Sequence, residues 1–173
     1  MSAKNSKKKN SLISEKSIEL LQYRIRQEEL SSRIYLAMSM WLNNSGYKEM
    51  AEVWLKYSKE ELTHGDWSRD YLLSMGVQPL TSELEAPDQT FTGIPQIVQL
   101  SYDHEIEVTN QCKELASHAL KEGDHMLHQL ALKYLTEQVE EHDKMQRWTD
   151  ELNVYGTDKI AMRLLNMSMK DDK

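Results

Sequence analysis

Cysteine is almost missing from this sequence: Cys112 is the single one in 173 residues. One thiol can form neither an intramolecular disulfide nor a multi-cysteine metal cage, and Cys112 reads as a small buried hydrophobe. Proline and glycine are scarce too, at three and six residues, which leaves long stretches free to be helical. No apolar run reaches the length of a membrane span. The start of the chain carries lysines but lacks the apolar centre of a signal peptide. These absences lead us to expect a soluble, cytoplasmic protein. Basic residues are outnumbered, twenty-one against twenty-eight acidic ones, for a formal net charge of -7. That balance argues against a basic nucleic-acid surface and is compatible with attracting cations. The length suits one domain with a sizeable core and is too short for two.

What the sequence does have is helical periodicity. Residues 1–13, with Lys4, Lys7, Lys8 and Lys9 among serines and asparagines, have nothing to bury and are expected to be a disordered basic tail ahead of a domain over 14–173. Ser14 is a good N-cap for a first helix, whose seam runs Ile18, Leu21, Ile25, Glu28, Ser32, Tyr35, Ser39 and Leu42 in steps of three and four. Asn43-Asn44-Ser45-Gly46 ends it in a short turn, so the second helix should return antiparallel. That helix, from about Lys48 to Met75 with Gly76 as its stop, carries Met50, Trp54, Tyr57, Glu61, His64, Tyr71 and Met75 on one face. Residues 77–93, with Pro79, Pro87 and Gly93, show no helical period and are long enough to cross the bundle. A third helix opens near Gly93-Ile94-Pro95 with a seam of Val98, Ser101, Glu105, Val108, Cys112, Leu115 and Ala119. After Lys121-Glu122-Gly123-Asp124, a fourth presents Leu127, Leu130, Tyr134, Gln138, Glu141, Met145, Trp148 and Leu152. A short fifth segment, about 157–169, has Ile160, Leu164, Leu165 and Met167 at helical spacing and needs something to dock on. The expected fold is all-α: a four-helix bundle with a long crossover between helices two and three and a short C-terminal helix.

Each long helix has one acid in mid-seam: Glu28, Glu61, Glu105 and Glu141. Two of these have a partner three residues away, His64 for Glu61 and Gln138 for Glu141. Packing the four helices brings these positions into one layer. Four facing carboxylates without metal repel and must take up protons, whereas two divalent cations supply the missing charge. Carboxylates with so little imidazole suit iron or manganese. Glu61 is placed to bridge two metals a few ångströms apart, the spacing needed to reduce dioxygen by two electrons at once. A single seam acid is more often a tilted surface residue or a hydrogen-bonded buried acid, but four at one level favour the metal reading. Tyr35, one step beyond Ser32, fits either electron transfer or a hydrogen bond to a ligand. Glu60, Glu137 and Glu140 border the same layer and fit either a solvated helix face or a third metal position. Trp54, Trp67 and Trp148 read as core or interface aromatics, and His104, His118, His125, His128 and His142 as surface residues.

At these residues the chain resembles the bacterial non-haem ferritins, a family whose carboxylate-bridged di-iron layout is well known. The resemblance runs from about residue 18 to 155 through Glu28, Ser31-Ser32, Tyr35, Glu60-Glu61-Leu62-Thr63-His64, His104-Glu105 and Thr136-Glu137-Gln138-Val139-Glu140-Glu141. It implies a ferroxidase that stores oxidised iron as mineral. Glu28, Glu61 and His64 resemble the first iron site, and Glu61, Glu105 and Glu141 the second, with Gln138 beside it. Glu60, Glu137, Glu140 and Glu141 resemble a looser third. The resemblance further implies a shell of about twenty-four chains, with the fifth helix lining the fourfold axis. Two departures stand out. Gln138-x-x-Glu141 replaces the Glu-x-x-His of bacterioferritins, so the second site should hold iron less firmly. Leu62 stands where bacterioferritins place a haem-ligating methionine, so no haem is expected there. A rubrerythrin-like peroxidase would need an iron-binding cysteine module, which one cysteine cannot build. A catalytically silent scaffold would leave the complete ligand set without a use.

Overall fold

Three glycine-bearing stops and one long proline-bearing connection divide the chain into its helices. The structure is a computed structural model describing residues 12–169. Of the expected basic tail, residues 1–11 lie outside the described residues. Leu12 is exposed but Ile13 is buried in the core, so packing begins one residue ahead of the Ser14 cap. The helices are α1 (Glu15–Asn44), α2 (Lys48–Ser74), α3 (Ile94–Glu122), α4 (His125–Tyr155) and α5 (Lys159–Ser168). No strand occurs among the described residues. No helix among them is long and apolar enough to cross a membrane.

The helix ends have local causes. Ser14 Oγ accepts the Ser17 N–H at 3.1 Å, capping α1. At the two tight turns, Gly46 and Gly123 take φ of 88° and 70°, a left-handed conformation that side chains other than glycine's adopt only under strain. Each closes its helix with a paired set of backbone bonds: Gly46 N–H to Asn43 and Tyr47 N–H to Leu42, then Gly123 N–H to Leu120 and Asp124 N–H to Ala119. Asp124 then caps α4 by accepting the Leu127 N–H at 2.9 Å. The sequence places all four long helices within a residue or two of where they lie.

α1 packs on α2 and α3 on α4, while α1 also faces α3 and α2 faces α4. The crossover runs the length of the bundle, from beside Leu72 and Val77 at one end to Phe91 and Ile94 at the other. The core falls into two apolar clusters. One holds Tyr35, Met38, Leu42, Met50, Trp54, Ile97 and Trp148 together with α5. The other holds Leu21, Ile25, Leu72, Val108, Cys112, Leu115, Leu127 and Tyr134. Each fully buried large side chain contributes on the order of 1.5–3 kcal/mol. That burial offsets the cost of a polar layer lying between the clusters.

The fifth helix docks through one member of its apolar pattern, Leu165, and three residues outside it. Ala161, Met162, Leu165 and Asn166 are the buried residues, whereas Ile160, Leu164 and Met167 are exposed. Asn166 explains the choice of face. Its Oδ1 accepts the Met50 N–H at 3.2 Å, which supplies a cap that Tyr47 does not provide to α2, and its Nδ2 donates to Glu49. Arg163 Nη1 adds a bond of 2.9 Å to the Gly46 carbonyl. A polar residue thus decides the register of an otherwise apolar helix.

Candidate metal centre

The polar layer between the two clusters is made of the residues that interrupt the apolar seams. Glu28, Glu61, His64, Glu105, Gln138 and Glu141 are all buried, each 7% exposed or less. Gly65, next to His64, lets α1 and α2 come close at this level, since a Cβ there would lie 3.3 Å from Glu28 Cβ and 3.1 Å from Arg69 Nη1. One carboxyl or imidazole atom each from Glu28, Glu61 and His64 lies within 4.8 Å of the others, and so do atoms of His64, Glu137 and Glu141. His64 joins the two groups, with Nδ1 3.3 Å from Glu61 Oε2 and Nε2 3.6 Å from Glu137 Oε1.

The charges of this layer are partly met by cations that the seam pattern did not reveal. Arg24, 2% exposed, donates from Nε to Glu28 Oε1 at 2.7 Å and from Nη1 to Gln111 at 2.6 Å. Burial disfavours its charged form, but the nearby Glu28 more than compensates and its pKa is raised. The other Glu28 oxygen, Oε2, is buried without a hydrogen-bond donor. Glu61 lies beside Glu28 in the same group of possible ligands. Burial, with Glu28 and Glu105 nearby, pushes Glu61 well above the usual carboxylate range. A buried oxygen lacking a donor, beside a carboxyl whose ionised form burial disfavours, is an arrangement that a divalent cation satisfies better. The donor set therefore fits iron: hard oxygens with one imidazole.

On the other side of the layer, Glu105 is held by two donors, the Tyr35 hydroxyl to Oε1 and Gln138 Nε2 to Oε2 at 3.0 Å. Tyr35 thus hydrogen-bonds one of the seam acids, and Gln138 reaches Glu105 through its amide nitrogen. Gln138 also donates to Thr109, whose hydroxyl lies 3.0 Å from His142 Nε2. Burial raises the Glu141 pKa to about 7, although Lys144 opposes the shift. Lys144 Nζ sits 2.8 Å from Glu141 Oε1 and 3.3 Å from Glu60 Oε2. Glu61, Glu105 and Glu141 do not form a group within 4.8 Å among the described residues. Tyr35 and Gln138 are bonded to the second of these acids and Lys144 to the third. Of the outer acids, Glu60 and Glu137 are half-buried and Glu140 is exposed.

Sequence reasoning missed Arg24, Lys144 and the histidines' roles. Arg24 and Lys144 had a visible signal, being one helical turn from Glu28 and Glu141. Three histidines read as surface residues are instead partly buried and bonded: His104 to Ser31 at 2.7 Å, His118 to Ser17 at 3.0 Å, and His142 to Thr109. Their partners come from other helices or from a neighbour that spacing within one helix does not reveal. Cys112 is fully buried, and burial raises its pKa to about 11, as suits an inert thiol.

The sequence profile of the ferritin-like domain family matches residues 18–154. A probable bacterial non-heme ferritin-like protein of Haemophilus influenzae is 27% identical over 158 residues, covering 91% of this chain and 96% of that protein. A bacterial non-heme ferritin of Escherichia coli is 29% identical over 139 residues, 80% and 84% of the two chains. Among solved structures, an open pore ferritin from the archaeon Archaeoglobus fulgidus superposes with a TM-score of 0.87 at 28% identity, covering 91% of this chain and 97% of its own.

Proposed function

Because the chain belongs to the ferritin-like family, we propose that it is an iron-storage ferritin that oxidises Fe(II) with dioxygen or peroxide and keeps the ferric product as mineral inside a hollow shell. The observation that carries this reading is the buried trio Glu28, Glu61 and His64, with Glu28 Oε2 lacking a donor. In it, Glu28, Glu61 and His64 hold the first Fe(II). Glu61, Glu105 and Glu141 hold the second, Glu61 bridging, while Tyr35 and Gln138 keep the Glu105 carboxylate in place. Hard anionic oxygens favour the higher charge, so this ligand set drives each iron from Fe(II) to Fe(III) as the oxidant takes up both electrons. Any proton held by Glu61 or Glu141, whose ionised forms burial disfavours, leaves as iron binds. The single imidazole and the absence of a second histidine keep the product loosely held, so it can pass to the cavity. Glu60, Glu137 and Glu140, with Glu141, form a looser third position. No haem is used, since Leu62 offers no thioether.

In this reading the chain works in the cytoplasm as a homo-oligomer, a closed shell of about twenty-four copies. The exposed Ile160, Leu164 and Met167 of α5 support association, because an apolar outer face gains from a neighbour. The test is one preparation measured twice. Light scattering before iron should give a particle of shell size, and after aerobic loading the same particle should retain ferric iron. Monomers or dimers at neutral pH, or a shell that takes up no iron, would refute the reading.

A further inference from the structure

Lys144 bridges an inner and an outer acid. Its Nζ is 2.8 Å from Glu141 and 3.3 Å from Glu60, and it stands 5.5 Å from the centre of the Tyr57 ring. The side chain is 26% exposed, so the ammonium sits at the boundary between the buried layer and solvent. It touches one inner acid and one outer acid at once. The other cation near Glu60 is Lys56, 3.7 Å away and 74% exposed, too solvated to hold it firmly. Beside Lys144 opens a cavity of about 260 Å³ lined by Val53, Tyr57, Arg147, Trp148 and Glu151, which gives the flexible side chain a place to move.

We propose that Lys144 is a built-in, displaceable cation at the outer position, standing between Glu60 and Glu141 where a third metal ion would bind, and that this position fills only when the ammonium swings out. This rests on the third-position reading above and adds to it the residue that sets its affinity. A lysine ammonium is a compact charge on a flexible stem, so it can neutralise both acids in the metal-free chain and still yield to a divalent ion. The inner trio of Glu28, Glu61 and His64 has Arg24 instead, which is fully buried and bonded to Gln111, and so cannot yield in the same way. Inner positions should therefore fill first and the outer one last. Lys144 is a specificity-setting residue, not a ligand.

The experiment is titration calorimetry of the metal-free, assembled protein with Zn(II), which binds without redox chemistry. Lys144→Met should bind a third Zn(II) per chain about tenfold or more tightly than the parent. Lys144→Gln should agree with it, while Lys144→Arg should stay near the parent. Adding Glu140→Ala to Lys144→Met should remove the third ion, and Arg147→Met, which deletes an exposed charge one turn away, should change it by less than about twofold. Equal third-ion affinity in the parent and both neutral variants overturns the role of Lys144 and leaves the third position standing. A gain in Arg147→Met as large as in Lys144→Met overturns it in favour of net charge alone. No third ion in any variant overturns both the position and its gate.

Discussion

The inner and outer acids of this bundle are neighbours in sequence, Glu61 beside Glu60 and Glu141 beside Glu140, yet their surroundings differ. Glu61 and Glu141 point between the two apolar clusters, where burial pushes both upward in pKa. Glu60 and Glu137 stay half-buried and Glu140 faces water. The inner set meets its charge within the fold, through the buried Arg24 at Glu28, through Lys144 at Glu141 and through the raised pKa values of Glu61 and Glu141. The outer set shares its charge with solvent and with Lys144. The helical period alone separates them: one residue step turns a side chain by about a quarter to a third of a turn.

The largest effect that would break this contrast is at the bridge. Glu61→Ala should slow rapid Fe(II) oxidation by more than about a hundredfold, since ligands matter more than the surrounding groups whose loss already costs 10–100-fold. Stopped-flow absorbance after two Fe(II) per chain measures it, and an unchanged rate would mean that the inner acids are no more a centre than the outer ones. His64→Ala should weaken the first site in the same assay, and circular dichroism should show both variants still helical.

Stability sharpens the contrast between the two cations. Arg24→Met should destabilise the metal-free protein by about 3–5 kcal/mol in denaturant, because it strands the buried Glu28 charge. Lys144→Met, at a partly solvated pair, should cost only about 1 kcal/mol or less. Similar losses for the two would erase the distinction between a fixed and a yielding cation.

The raised pKa values of the inner acids set a pH dependence. An acid whose folded pKa exceeds its unfolded one holds its proton better in the fold, so as pH rises the unfolded chain ionises first and stability falls. For Glu141 the window runs from the model-compound value of 4.5 up to about 7. The loss across it is about 3 kcal/mol from this residue, and Glu61, raised from the same ordinary value, adds to the fall from the same starting point. Calorimetry of the metal-free protein should show the fall, Glu141→Gln should flatten it, and bound divalent metal should reverse it by replacing the protons. The smallest effect is expected outside: Glu140→Ala should change iron turnover and the iron-to-oxygen ratio while leaving the initial oxidation rate within about twofold. Identical turnover would return Glu140 to an ordinary solvated face.

Much of this was legible in the sequence because helices have one period and this chain has few interruptions. The four acids stand in seams of otherwise apolar residues, and the glycines at 46, 76 and 123 mark the stops. The counter-charge that a buried carboxylate demands could be anticipated, but its identity could not. Arg24 and Lys144 are one turn from their acids, as are many surface ion pairs that contribute nothing. The docking face of α5 was not legible for a related reason: of Ile160, Leu164, Leu165 and Met167 at helical spacing only Leu165 is buried, and Asn166 is placed by a backbone donor at the start of α2.

By itself, the sequence determined the five helices, the crossover and the six residues of the inner layer, because each depends on local stops and a period that short-range sterics impose. The tertiary structure alone decided which acids have raised pKa values, that Gln138 donates to Glu105, that His104 and His142 are bonded rather than solvated, and that Lys144 lies between Glu60 and Glu141. Those outcomes depend on distances between helices far apart in the chain and on how much water the packing excludes, and neither quantity is carried by the spacing of residues along one helix.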